Sequence, residues 1–168
     1  MWNDWLRNKY KTLGALNKAW NMNVWSHTIY DWDEIVVPNE LGDAWGPESS
    51  ETIVAGLSID YLRFQSESLQ NLFKMEKAVI KKYDPETPVT TNFHSLPNKM
   101  IDYQKWAKDQ DIISYDSYPT YDAPAYKPAF LYDLMRSLKH QPFMLMESAP
   151  SQVNWQSYSP LKRPGQMA

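Results

Sequence analysis

Three short runs of strand-forming residues alternate with helical segments in the second half of this 168-residue chain. In chain order these are a strand-like run at 88–93 (PVTTNF), a helical one at 100–110, a strand at 111–115 (DIISY), a helix at 128–139 and a strand at 142–146 (PFMLM). Such alternation is typical of parallel strands whose connecting helices lie outside the sheet. The pattern therefore predicts an α/β fold.

The spacing of the three strands indicates which α/β fold they belong to. They start near Val89, Ile112 and Phe143, in steps of 23 and 31 residues, and one βα unit of an eightfold barrel takes roughly 30 residues. Three strands cannot close such a barrel, so we interpret them as a partial (β/α)₈ TIM barrel, an open segment of a larger domain. A complete small three-stranded α/β fold is the alternative. It fits less well because its sheet edges would be bare.

The first half of the chain is mainly helical, with one long aromatic segment. Periodicity predicts helices near 2–13, 15–20 and 58–83, and Pro85 follows the last of them as a breaker. Residues 21–50 show little periodicity, but their many large side chains argue against disorder. Loops of this length inside compact domains are usually functional when they are ordered.

Polar or aromatic side chains stand at the end of each predicted strand. They are Thr91-Asn92-Phe93, Tyr115-Asp116-Ser117-Tyr118 and Glu147-Ser148. In parallel barrels the carboxyl ends of the strands carry the chemistry. Glu147 ends an apolar run that the pattern predicts to be a buried strand, where a charge is costly unless it is paired, hydrogen-bonded or used. It is either a carboxylate satisfied by backbone N–H groups or a reacting group, and we favour the second.

The composition excludes several other classes of protein and site. There are no cysteines, which excludes disulfides and thiolate metal sites, and the three scattered histidines lack metal-ligand spacing, so we expect no metal and no cofactor. The net charge of −3 argues against binding to nucleic acid or to a membrane surface, because both attract basic proteins. No apolar run reaches the length of a membrane span, and the N-terminus does not resemble a signal peptide. The expected location is therefore cytoplasmic.

Aromatic residues make up 14% of the chain, with 8 Trp and 11 Tyr. These side chains combine a flat apolar face with a polar edge, which suits stacking against sugar rings and hydrogen bonding at their rims. An aromatic-rich core is the other explanation, and composition alone favours it.

Five segments carry a resemblance to a known family: LNKAWNMNVWSHTIYDWDEIVVP, DYLRFQSESL, TTNF, YDSYP and FMLMESAPSQVNW. Together, over residues 2–165, they resemble glycoside hydrolase family 42, the bacterial β-galactosidases. The resemblance implies a retaining glycosidase acting on terminal β-D-galactosides. It also implies that residues 1–168 are a fragment of a single catalytic barrel domain, with about strands 5–7 and their flanking helices. Full-length relatives are often homotrimeric.

The resemblance also assigns roles to four residues. Glu147 matches the family's nucleophile at the end of the seventh strand, and Tyr118 matches a tyrosine that donates a hydrogen bond to it. Trp155 and Trp25 match tryptophans that form walls of the galactose pocket. Ordinary aromatic packing is the alternative for both tryptophans, and a rim position beside Pro119 is the alternative for Tyr118.

The family's acid/base is a second glutamate, in an Asn-Glu pair at the end of the fourth strand. The only such pair here is Asn39-Glu40, which follows no predicted strand, so we interpret it as a coincidence. We therefore expect the acid/base to be missing and the isolated chain to be inactive, because general acid catalysis contributes about 10²–10⁴-fold. The alternative hypothesis is a non-catalytic product of a truncated gene, at most a weak sugar-binding half-barrel. The preferred galactoside linkage stays open.

Overall fold

The computed structural model describes residues 1–39, 55–94, 98–149, 151–155 and 157–166. The chain divides into two compact units, Met1–Leu69 and Gln70–Ala168. Glu40 and the rest of the long segment up to residue 50 lie outside the described residues, so the interpretation of the Asn39-Glu40 pair stays a prediction.

Helices pack around an aromatic core in the first unit. Its elements are α1 (Trp2–Tyr10), α2 (Leu13–Trp20), a 3₁₀ helix (Trp32–Glu34) and the first part of α3 (Ala55–Tyr83). The Thr12 side chain caps the start of α2, and Asn21 ends that helix in the left-handed conformation. The buried core consists of Trp2, Leu6, Leu16, Trp20, Met22, Ile35 and Leu57. The three predicted helices are confirmed, with ends displaced by up to three residues.

A three-stranded parallel sheet with the order β1-β2-β3 organises the second unit. Its elements after α3 are β1 (Asn92–Phe93), α4 (Tyr103–Asp109), β2 (Ser114–Ser117), α5 (Tyr126–Lys139) and β3 (Met144–Ser148). The predicted alternation of strand and helix is confirmed. The buried core of this unit consists of Phe73, Val89, Phe93, Trp106, Ala107, Ile113, Tyr115 and Met135.

Just before β1, a hydrogen bond to the Asp111 side chain replaces backbone pairing with the neighbouring strand. This strand is therefore shorter than predicted. The backbone N–H of Val89 donates to Asp111 Oδ2 at 2.8 Å, and the Asp111 N–H donates to the Val89 carbonyl at 3.0 Å. The same carboxylate pairs with Lys77 at 2.5 Å and with Lys81 at 3.1 Å. Burial alone would raise the pKa of Asp111, but these hydrogen bonds outweigh it and hold the pKa well below its ordinary value.

The prediction that Glu147 ends a buried strand is wrong. β3 is exposed along its whole length, with Met144, Leu145 and Met146 each 45% exposed, and Glu147 lies inside the strand rather than after it. The reason is that β3 is the last strand of the sheet and pairs only with β2 in the part of the chain that the structure describes. The carboxylate must therefore be held by something other than burial.

The described residues contain neither a membrane-spanning helix nor a cluster of metal ligands. No helix there combines the length and the apolar composition needed to cross a membrane. No group of three or more His, Cys, Asp or Glu side chains there could hold a metal ion.

Candidate active site

The carboxyl ends of the three strands bring three polar side chains to one edge of the sheet. Asn92 begins β1, and the parallel register pairs Asp116 of β2 with Glu147 of β3. The pairing of Asp116 with Glu147 results from an irregularity after Tyr115. Tyr115 pairs with Leu145, the ladder then skips Met146, and Asp116 pairs with Glu147. Bulges of this kind re-aim side chains next to active sites. Here the bulge sets two carboxylates on neighbouring strands side by side.

Each oxygen of the Glu147 carboxylate accepts a hydrogen bond from a different strand end. The hydroxyl of Tyr118 donates to Oε2 at 2.5 Å, and the side-chain amide of Asn92 donates to Oε1 at 3.3 Å. The hydrogen bond to Glu147 raises the pKa of Tyr118 to about 12, so the phenol keeps its proton at neutral pH. The two donors fix the orientation of the Glu147 carboxylate.

Trp155 forms a wall beside this carboxylate. Its ring meets the Tyr118 ring edge-on, with centroids 4.8 Å apart and planes at 87°. Hydrogen bonds across the surrounding loop hold it in place, from Gln152 Nε2 to the Ser159 carbonyl at 3.0 Å and from Lys162 Nζ to the Ala149 carbonyl at 2.7 Å. The face of Trp155 is free to meet a ligand, since the side chain is 61% exposed.

Asp116 differs from Glu147 in being buried. It is 9% exposed, and its Oδ1 has no hydrogen-bond partner among the described residues. Burial raises the pKa of Asp116 above its ordinary value; a hydrogen bond from Asn92 opposes this effect, and the charge of Glu147 adds to it. A buried carboxylate with an unpaired oxygen is costly.

An open pocket of about 770 Å³ lies beside the Glu147 carboxylate. Its walls are partly aromatic and partly polar, and they include His94, Asp116, Tyr118, Glu147, Trp155, Tyr158, Ser159 and Lys162. Flat rings flanking a carboxylate match the chemistry of a sugar, which stacks its C–H face and hydrogen-bonds at its rim.

The family profile for β-galactosidase of glycoside hydrolase family 42 matches residues 1–168, the whole chain. The chain belongs to this family. It is 91% identical over 163 residues to the β-galactosidase LacZ of Lactobacillus acidophilus, and 52% identical over 164 residues to the β-galactosidase BgaP of a Planococcus species. Each match covers 97% of this chain and 24% of the relative, so the chain spans about a quarter of the length of these curated relatives.

Solved β-galactosidase structures confirm the fold class. A β-galactosidase from Bacillus circulans sp. alkalophilus superposes with a TM-score of 0.89 at 50% identity, over 99% of this chain and 24% of the other. A catalytic mutant of Gan42B, a family 42 β-galactosidase from G. stearothermophilus, superposes with a TM-score of 0.84 at 38% identity, over 98% of this chain and 25% of the other. The three-stranded parallel sheet and its helices are thus part of the family's (β/α)₈ barrel.

Three of the four residues predicted for the family 42 site lie together in the structure. Glu147, Tyr118 and Trp155 line the same pocket in the second unit. Trp25 belongs to the first unit, where it is 78% exposed and has a φ of 52°. A positive φ is unusual for a bulky side chain. Its role as a pocket wall stays a prediction.

Sequence reasoning left the roles of two strand-end residues, Asn92 and Asp116, undecided. From the sequence, Asn92 could equally face the site or make a buried hydrogen bond elsewhere. In the structure its side-chain amide donates to Glu147. From the sequence, Asp116 was a candidate for a hydrogen bond to a neighbouring loop. In the structure it lines the pocket beside Glu147. The signal for both was their position at predicted strand ends.

Proposed function

We propose that this chain supplies the nucleophile side of the active site of a retaining β-galactosidase, with Glu147 as the nucleophile. The observation that carries the proposal is the Glu147 carboxylate, held by Tyr118 and Asn92 beside Trp155 at the strand ends. The curated relatives are β-galactosidases, and residues 1–168 would accordingly be part of one catalytic barrel domain.

The reaction takes two displacement steps. In the first, a Glu147 oxygen bonds to the anomeric carbon of a terminal β-D-galactoside while the bond from that carbon to the leaving oxygen breaks, and the leaving oxygen takes a proton from an acid. In the second, water gives a proton to that same group, now acting as a base, while its oxygen attacks the anomeric carbon; the ester to Glu147 breaks, and galactose leaves with its configuration retained. The acid belongs to a second carboxyl group, for which retaining enzymes need a separation of roughly 5–5.5 Å.

Each neighbour of Glu147 has a defined part in these steps. Tyr118 and Asn92 hold the two carboxylate oxygens in a fixed orientation, which favours attack on the anomeric carbon. They also stabilise the carboxylate as it leaves the ester in the second step. Trp155 supplies a flat wall on which the sugar's C–H face packs.

Covalent labelling tests this assignment. The test enzyme is a full-length hybrid, in which this chain replaces the matching residues of the Lactobacillus acidophilus LacZ, to which it is 91% identical. A 2-deoxy-2-fluoro-β-galactoside with a good leaving group should inactivate the hybrid enzyme and leave its sugar on Glu147, as seen by peptide mass spectrometry. A label on another residue would refute the assignment.

Azide rescue separates a nucleophile from a merely structural carboxylate. Glu147→Ala should lose at least about 10⁴-fold in kcat. Added azide should then restore turnover of an activated substrate and give α-galactosyl azide, because azide attacks from the face that the carboxylate has vacated. Glu76→Gln, an exposed carboxylate on α3, is the matched control and should keep full activity. Full activity of Glu147→Ala would end the proposal.

A further inference from the structure

The loop that carries Trp155 follows β3 and is cross-linked to itself. The described residues of this Trp155 loop are 151–155 and 157–162. Three hydrogen bonds among them cross the loop, from Gln152 Nε2 to the Ser159 carbonyl at 3.0 Å, from the Val153 N–H to Ser159 Oγ at 3.3 Å, and from the Lys162 N–H to Ser151 Oγ at 3.1 Å. Trp155 lies in the part of the loop that these bonds close. A movement at the base of the loop therefore carries Trp155 with it.

Lys162 joins the base of the Trp155 loop to the strand that bears Glu147. Its backbone N–H bonds inside the loop, whereas its ammonium donates to the Ala149 carbonyl at 2.7 Å. Ala149 comes directly after Ser148, the last residue of β3, and two positions after Glu147. A charged donor makes a stronger hydrogen bond than a neutral one. The ammonium of Lys162 thus anchors the loop close to the Glu147 carboxylate.

Trp155 is tied to Glu147 by a second route, through Tyr118. The rings of Trp155 and Tyr118 meet edge-on with centroids 4.8 Å apart, and the Tyr118 hydroxyl donates to Glu147 Oε2 at 2.5 Å. The wall is therefore attached at two points, at the indole ring by Tyr118 and at the base of the loop by Lys162. Two attachments fix the separation of wall and carboxylate, whereas one would let the loop pivot.

We propose that Lys162 is a positioning residue of the active site, which sets the separation between the Trp155 wall and the Glu147 carboxylate by holding the Trp155 loop to the end of β3. The inference rests on the proposed function, since it concerns the same nucleophile. A sugar stacked on Trp155 must present its anomeric carbon to Glu147, and a misplacement on the order of 1 Å can cost about 10²-fold in rate. Lys162 thus acts on the reaction through Trp155.

Two other roles for Lys162 would give different results when Trp155 is removed. Lys162 is among the residues that line the pocket, so one alternative is a direct hydrogen bond from its ammonium to a sugar hydroxyl, and that contribution would persist without Trp155. The other alternative is a role in folding alone, which would lower the number of active sites and leave the rate at each site unchanged. A role exerted through Trp155 disappears once the indole ring is absent.

A double-mutant cycle of Lys162 with Trp155 in the hybrid enzyme tests the inference. The measured quantity is the second-order rate constant of inactivation by the 2-fluoro-galactoside, per active site titrated by the leaving group released. Lys162→Met keeps an apolar stem and removes the ammonium. This variant and Trp155→Ala should each lower the rate constant by roughly 10- to 100-fold, and the double variant should be no more than about twofold slower than Trp155→Ala. Lys162→Arg, which keeps the charge and the donors, should stay within about fivefold of the parent.

The matched control is Lys108→Met, at an exposed position on α4, which should leave the rate constant unchanged. Three results would overturn the inference while leaving Glu147 as nucleophile: an unchanged rate constant in Lys162→Met, a loss that persists in the Trp155→Ala background, or Lys162→Arg as slow as Lys162→Met. If Lys162→Met yields no titratable sites, Lys162→Gln takes its place with the same expected losses, and an absence of sites in both variants would show a role in folding and overturn the inference. A label found away from Glu147 in the parent enzyme would instead overturn the proposed function, and this inference with it.

Discussion

Replacing Tyr118 with Phe removes one hydroxyl and tests how the nucleophile is held. The hydroxyl donates to Glu147 Oε2 at 2.5 Å, while the ring packs edge-on against Trp155. Phenylalanine keeps the ring contact and loses only the donor. A hydrogen bond to a charged group contributes about 1.5–3 kcal/mol. Because about 1.4 kcal/mol is tenfold in rate, kcat of the hybrid enzyme should fall by roughly 10- to 150-fold, with KM changed by less than about threefold.

The pH dependence of the same variant gives an independent measurement. The alkaline limb of the kcat profile should be the same in the parent and in Tyr118→Phe, because the hydrogen bond to Glu147 raises the pKa of Tyr118 to about 12 and the phenol does not titrate near neutrality. Initial rates across the pH range measure this limb. Tyr126→Phe, an exposed tyrosine outside the pocket, is the matched control. Unchanged kcat in Tyr118→Phe would refute the reasoning.

Two further variants test the pocket wall and the stability of the second unit. Trp155→Ala in the hybrid enzyme should raise KM by roughly 10-fold or more, since it removes the stacking surface; an unchanged KM for galactosides would exclude that role. Asp111→Asn should lower the unfolding free energy by about 1–3 kcal/mol at neutral pH, because Lys77 and Lys81 lose their charged partner. The pKa of Asp111 is lowered in the folded state, so its contribution is present above about pH 4 and lost below it. Urea unfolding at two pH values should show the parent losing more stability in acid than the variant does.

The order and direction of the elements could be predicted from the sequence because they depend on local patterns. Apolar and β-branched runs indicate strands, and segments with helical periodicity indicate helices. The alternation of strands and helices along the chain predicts that the strands are parallel. The ends of the strands could not be predicted in the same way. The predicted β2 was 111–115, whereas the ladder runs over Ser114–Ser117, because backbone pairing continues through polar residues regardless of their hydropathy.

The start of β1 shows a second limit of prediction. The run 88–93 has strong strand propensity, yet only Asn92–Phe93 pair in the sheet. The N–H of Val89 goes to the Asp111 side chain. A side chain more than twenty positions away can take a backbone donor from a strand, and propensity scales contain no such competition.

The candidate site was predicted at the strand ends, and there Glu147, Tyr118 and Trp155 line one pocket, while their roles stay predictions. We expected Glu147 to end a buried strand, and the structure instead shows an exposed strand whose carboxylate accepts hydrogen bonds from two side chains. One of these, Asn92, depends on register, since a one-residue slip turns every side chain of a strand to the other face. The bulge after Tyr115 sets the pairing of β2 with β3 at Glu147, the partner of Asn92. Nothing in the sequence of β2 or β3 taken alone specifies this pairing. An active site that depends on a register therefore has to be seen in the sheet before its supporting residues can be named.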